Sequence, residues 1–111
     1  MDHTDLAARY FAHMKARNLQ GLTELFAEDA TFALPDGREL AGARAIHDMY
    51  AQLFAAGAPS PTPLATISDG QGIATEIEAR LPNGTVRRTA NFFHLNAQGL
   101  IRRLSVYTRA G

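Results

Sequence analysis

Tyr10 and His13 stand three residues apart in Leu6-Ala7-Ala8-Arg9-Tyr10-Phe11-Ala12-His13-Met14. On a helix this spacing places the two side chains on neighbouring parts of one face. An imidazole titrates near neutrality and suits acid–base work; the rival reading of His13 is a histidine on the helix surface or at a subunit edge. Asn91, within Thr89-Ala90-Asn91-Phe92-Phe93, carries an amide that needs several partners if buried, and it can donate a hydrogen bond without any shifted pKa. Tyr10 and Tyr50 fall on amphipathic stretches, where a phenol fills a core while its hydroxyl finds an acceptor. Glu76 and Glu78 share one face of a strand and form a carboxylate pair of the kind used in acid–base catalysis. The wet or interface side suits them better, with Arg80, Arg88 or Arg103 as counter-charges. Asp36, inside Pro35-Asp36-Gly37, reads as an exposed turn residue.

The remaining histidines do not converge. His3 is terminal, His47 falls beside an apolar stripe, and His94 alternates onto the strand face opposite Asn91. There is no His-x-His, no His-Glu-x-x-His and no cysteine, so no metal is expected, structural or catalytic. Gly70-Gln71-Gly72 lacks the third glycine and the following helix of a phosphate-binding loop. No cofactor is expected.

The elements that must position these groups are well punctuated. Residues 4–17 read as a first helix with Leu6, Ala7, Tyr10, Phe11 and Met14 in one stripe. Asn18 is a plausible N-cap for a short second helix over 19–27. Ala30, Phe32 and Leu34 alternate as a half-buried strand over 30–34, stopped by Pro35-Asp36-Gly37. A third helix over 43–57 carries Ile46, Met49, Tyr50, Leu53 and Phe54 at helical spacing and ends at Gly57. Ala58-Pro59-Ser60-Pro61-Thr62-Pro63 excludes helix and central strand, and is read as an extended connection across the domain. Strands near 64–68/72–81, 85–95 and 100–109 follow, separated by Asp69-Gly70-Gln71-Gly72, by Asn83-Gly84 and by Asn96-Ala97-Gln98-Gly99. Arg87, Thr89, Asn91, Phe93 and Leu95 share one face of their strand, and Arg88, Ala90, Phe92 and His94 the other. In the last strand Leu100, Arg102, Leu104, Val106 and Thr108 are expected opposite Ile101, Arg103, Ser105 and Tyr107. The result is an α+β domain with helices on one side of a largely antiparallel sheet.

The 111 residues fit one domain over 1–111, with room for one core or a modest pocket. Eleven basic residues balance eleven acidic ones, so no net field draws nucleic acid or an acidic membrane. No apolar run approaches transmembrane length, and Met1-Asp2-His3-Thr4-Asp5 is unlike the start of a signal peptide. A cytoplasmic protein is expected.

Leu25-Phe26-Ala27-Glu28-Asp29-Ala30-Thr31-Phe32, the Leu34-Pro35…Gly37 turn and Gly42-Ala43-Arg44-Ala45-Ile46 leading to Met49-Tyr50 together resemble the nuclear transport factor 2-like superfamily. Its members include ketosteroid isomerase, scytalone dehydratase and the SnoaL-like polyketide cyclases. The resemblance runs from Leu6 to Thr108. It implies a cystatin-like cone in which three N-terminal helices pack on a curved, mostly antiparallel sheet, and a homodimer joined through the sheet. It also implies a pocket for a small hydrophobic molecule. Ala8-Arg9-Tyr10 places Tyr10 where the isomerase keeps its oxyanion-hole phenol, Tyr50 where a second tyrosine supports it, and Asn91 where the isomerase has a protonated aspartic acid. The isomerase's general base is an aspartate just before the turn proline, and here that residue is Leu34. Leucine accepts no proton.

Three readings follow. The first is an isomerase-, cyclase- or dehydratase-type enzyme acting on a small apolar carbonyl compound. Tyr10 and Asn91 polarise its oxygen, Tyr50 supports them, and Phe32, Leu34, Phe54, Phe93, Leu104 and Val106 form the walls, with His13 nearby. The second is a non-catalytic binder of a small apolar ligand. The third is an interaction module that works through the outer sheet face.

Overall fold

A computed structural model describes residues 5–57, 60–69, 71–81 and 83–108; Ala58, Pro59, Gly70 and Pro82 of the expected turns lie outside them. The first helix, α1 (Leu6–Ala16), buries the expected stripe of Leu6, Ala7, Tyr10, Phe11 and Met14. It stops at Arg17, whose left-handed backbone (φ 56°) returns its N–H to the Met14 carbonyl. Asn18 then caps α2 (Leu19–Thr23), its side-chain oxygen accepting the Gly21 N–H at 3.0 Å. Glycine leaves room there for the two side chains that meet over it. A Cβ on residue 21 would lie 2.6 Å from both the Asn18 amide nitrogen and the His13 ring.

α2 is a single turn, shorter than the expected 19–27, because tertiary pairing claims its C-terminal end. The Ile101 N–H donates to the Leu25 carbonyl at 2.8 Å, and Phe26 already pairs with Ile101. Strand β1 therefore runs Phe26–Ala33, starting four residues before the alternation of Ala30, Phe32 and Leu34 announces it. The Pro35-Asp36-Gly37 turn closes with Leu34 N–H to Arg38 O at 2.8 Å and leads into β2 (Glu39–Ala41), which periodicity does not reveal. Its three residues pair antiparallel with Thr31–Ala33. Gly42 (φ 95°) donates its N–H to the Ala30 carbonyl and turns the chain into α3 (Ala43–Ala55).

The other strands are β3 (Ser60–Ser68), β4 (Gly72–Arg80), β5 (Val86–Leu95) and β6 (Ile101–Thr108). They form one six-stranded sheet in the order β2-β1-β6-β5-β4-β3, in which only β1 and β6 run parallel. The proline-rich segment corrects one expectation. From Ser60 it is not a connection but the start of β3, where Pro61 and Pro63 pair with Ala79 and Ile77. The sheet tolerates these prolines because β3 is an edge strand, with one side of its backbone free of ladder bonds.

The sheet is curved and unclosed, and the helices fill its concave side. Ile73, Thr75, Ile77 and Ala79 of β4 and Asn91, Phe93 and Leu95 of β5 point inward as alternation requires. In β6 a bulge breaks the alternation: Leu95 pairs with Ile101, but His94 pairs with Arg103, so Arg102 is extra. Ile101, expected on the face opposite Leu104, is consequently buried on the same side; both are fully enclosed. Among the described residues no helix is long and apolar enough to cross a membrane.

Candidate functional site

Between α1, α3 and the concave sheet lies a cavity of about 230 Å³. α1 contributes Tyr10, Phe11 and Met14, α3 contributes Met49, Tyr50 and Leu53, and the end of β1 and its turn contribute Phe32, Leu34 and Pro35. The strands supply Pro61, Ile77, Ala79, Arg87, Thr89, Asn91, Val106 and Thr108. Buried Tyr10, Phe11, Phe32, Tyr50 and Asn91 form the deep end, and exposed Pro35, Arg87 and Thr108 mark the mouth. The walls are mainly apolar.

At the deep end the Tyr10 and Tyr50 hydroxyls are 2.5 Å apart. One phenol donates to the other, and the accepting phenol keeps its own proton for a third partner. Tyr10 is held edge-on by Phe11 and Phe93, each with ring centroids 5.1 Å away, and Tyr50 edge-on by Phe32 at 5.7 Å. Burial pushes the Tyr10 phenol well above its ordinary range, and its bond to Tyr50 offsets this only in part. Tyr50 rises as well, chiefly through burial and then through its neighbour Tyr10. Both phenols therefore stay protonated at any physiological pH. They act as donors and not as bases.

Asn91 is 5 % exposed. No fully enclosed side-chain nitrogen or oxygen lacks a partner among the described residues. The Asn91 amide makes no protein hydrogen bond among them and opens onto the cavity. It sits opposite Thr75 on β4 and Val106 on β6. Phenol pair and amide thus present donors to one space.

No Asp, Glu or His lines this cavity among the described residues. Asp36 is occupied in its own turn. The Arg38 N–H at 3.0 Å and then the Arg38 guanidinium at 2.7 Å hold its carboxyl below the usual carboxylate range, fully exposed. His13 lies in a different, polar groove with Arg9, Asn18, Gln20 and Glu24, its Nδ1 3.2 Å from the Asn18 amide. Glu78 meets Arg88 at 3.3 Å on the convex face. His94 also lies on that face, its pKa lowered by partial burial and then by Arg102 and Arg103. No cluster of three potential metal ligands occurs among the described residues.

Of the expected site residues, the cavity brings together Tyr10, Tyr50, Asn91, Phe32, Leu34 and Val106. Four others do not line it. His13 is in the outer groove described above. Phe93 and Leu104 are paired across β5 and β6 with no exposed surface, one layer behind the wall. Phe54 packs on the Tyr50 ring and under the Arg17 guanidinium, 5.3 Å from its centroid. Alternation correctly assigns Phe93 and Leu104 to the concave face, but it carries no information about depth. Arg87 and Thr89 were readable as lining residues, since they share the face of Asn91; their polarity argues against that reading when the core is sought.

The profile of the SnoaL-like domain matches residues 7–104. The chain belongs to the SnoaL-like domain family. No curated protein matches its sequence. Among solved structures it is similar to a candidate ketosteroid isomerase from Kribbella flavida (20% identity, TM-score 0.88, covering 98% of this chain and 78% of that one). It is also similar to SalBIII, an epoxide hydrolase/cyclase-like enzyme of pyran ring formation in the polyether salinomycin (20% identity, TM-score 0.83, covering 96% and 90%). A third is a protein of unknown function with a cystatin-like fold from Methylobium petroleophilum (19% identity, TM-score 0.85, covering 98% and 76%). At these identities the likeness establishes a ketosteroid isomerase-like, cystatin-like fold for this SnoaL-like chain.

Proposed function

We propose that this SnoaL-like domain binds a small, largely apolar molecule of one or two rings and polarises its carbonyl or hydroxyl oxygen without abstracting a proton. The observation that carries the reading is the hydroxyl–hydroxyl contact of Tyr10 and Tyr50 beside the Asn91 amide, in a cavity with no carboxylate or imidazole among its described lining residues. Donors preorganised in a water-poor site stabilise charge that develops on an oxygen. Chemistry that needs only such a donor, with the nucleophile supplied by the substrate itself as in a ring closure, suits this site better than enolisation, which needs a base. Size narrows the ligand. A dry cavity of about 150 Å³ takes benzene, so 230 Å³ favours one ring or two over a four-ring steroid.

Calorimetric titration with 2-naphthol and with naphthalene tests the reading. 2-Naphthol is expected to bind about tenfold or more tightly than naphthalene, as a buried hydrogen bond to oxygen warrants. Tyr10→Phe should remove that advantage and leave naphthalene binding in place. Equal affinity for the two compounds, or no binding of either at millimolar concentration, would sink the proposal.

A second reading concerns the convex face, and it adds to the first. Leu64, Ile67, Val86, Phe92 and Tyr107 are exposed there, with Phe92 and Tyr107 stacked edge-on at 5.6 Å. The same face carries Glu76 and Glu78 together with Arg88 and Arg102, so a copy related by a two-fold axis can meet each sign with its opposite. A homodimer through the sheet accounts for this face. Light scattering at micromolar concentration is expected to give twice the monomer mass, and Phe92→Glu the monomer mass; a monomeric parent protein contradicts it.

A further inference from the structure

Arg87 is the one charged side chain among the described residues lining the cavity. It lies on β5 at the end of the inward-facing series Asn91, Thr89, Arg87, opposite Ala79 of β4. Of the other sheet arginines, Arg88 and Arg80 are answered by Glu78 and Arg103 by Glu39 at 3.0 Å, while Arg102 is on the convex face, away from the cavity. Arg87 has no carboxylate partner among the described residues, and none lines the cavity it borders. Two hydroxyls stand beside it, since Thr89 and Thr108 are directly paired across β5 and β6 and both line the same space.

We infer that the molecule taken by this cavity is an amphipathic acid: an apolar ring with an oxygen for Tyr10 and Asn91 at the deep end, and a carboxylate for Arg87 at the mouth. The inference rests on the small-molecule reading above and specifies its ligand class. Both ends of the cavity offer donors, and neither offers a carboxylate, which favours acids over amines. A guanidinium grips a carboxylate through two parallel hydrogen bonds. The span agrees with one extended molecule. Asn91 and Arg87 are four residues apart on one strand, about 13 Å between Cα atoms at a strand's rise. That span matches the length of a fused two-ring acid together with the side chains that would hold its two ends.

6-Hydroxy-2-naphthoate, its methyl ester and 2-naphthol separate the two ends. The acid is expected to bind about tenfold more tightly than the ester, with an advantage that shrinks as salt rises, because Arg87 is exposed. Arg87→Gln, a change at an exposed strand position, should bring the acid down to the affinity of its ester. Tyr10→Phe should weaken all three. An acid that binds no better than its ester, or an Arg87→Gln loss shared equally by acid and ester, overturns the assignment of Arg87 and leaves the deep site standing. Absence of binding by all three compounds overturns the small-molecule reading and this inference with it.

Discussion

Leu34→Asp is expected to raise the rate of allylic proton transfer in a small β,γ-unsaturated cyclic ketone by ~10²–10⁴-fold over the unmodified chain, the usual contribution of a positioned general base. Leu34 is half-buried at the end of β1 and lines the cavity with Pro35, on the same space as the phenol pair and Asn91. An aspartate there would keep some contact with water and so escape the large cost of an isolated, fully buried carboxylate. Partial burial would also raise its pKa toward neutrality, where a base works best. The unmodified chain is expected to stay near the buffer rate, followed by ultraviolet absorbance of the conjugated product. Efficient turnover by the unmodified chain would mean that a base reaches the cavity from elsewhere. A variant that folds and binds 2-naphthol yet gains nothing would show that residue 34 does not face the carbon beside the polarised oxygen.

Phe93→Ala is expected to lower the free energy of unfolding by about 3–5 kcal/mol, measured from urea midpoints at unchanged slope. Phe93 has no exposed surface, meets Tyr10 and Phe11 edge-on, and is paired with Ile73 and Leu104 on its neighbouring strands. The loss is a large part of the roughly 5–15 kcal/mol that holds a domain of ordinary size. A second consequence follows from geometry. Without the ring behind it Tyr10 loses its rotamer support, so 2-naphthol affinity should fall at denaturant-free conditions where the variant is still folded. A loss under about 1 kcal/mol would place Phe93 outside the core and shift β5 by one residue.

What could be read from the chain beforehand depended on whether a local pattern carried it. The stripe of α1, the stripe of α3 and the two faces of β5 are written in periodicities of 3.6 and 2, and the sheet adopts them. β2 escaped because three residues, Glu39–Ala41, have no period; only pairing with β1 makes them a strand. The early end of α2 is set by Ile101, which lies far along the chain. The bulge at Arg102 leaves an ambiguous trace in Leu100-Ile101-Arg102-Arg103-Leu104, where two adjacent arginines break the alternation without showing which of them is extra. For the site, Tyr10, Tyr50 and Asn91 were nameable through the family resemblance. Their arrival in one cavity, and the bond between the two phenols, depend on how closely α1 approaches α3 over the sheet. Phe93 and Leu104 were assigned to the correct face and the wrong layer, because alternation ranks sides and not distances.

The single parallel pairing has a consequence for how the protein is made. β1 leaves the ribosome early, but the strand that must lie along it, β6, is the last of the six strands to emerge. At about 5–20 residues per second of synthesis, several seconds pass in which one edge of β1 has no partner. During that interval the apolar residues of β1 and α3 are covered by α1, α2 and each other but not by β6. The cavity wall contributed by Val106 and Thr108 is therefore the last part of the site to be built, and a ligand can be held only once β6 has emerged and paired.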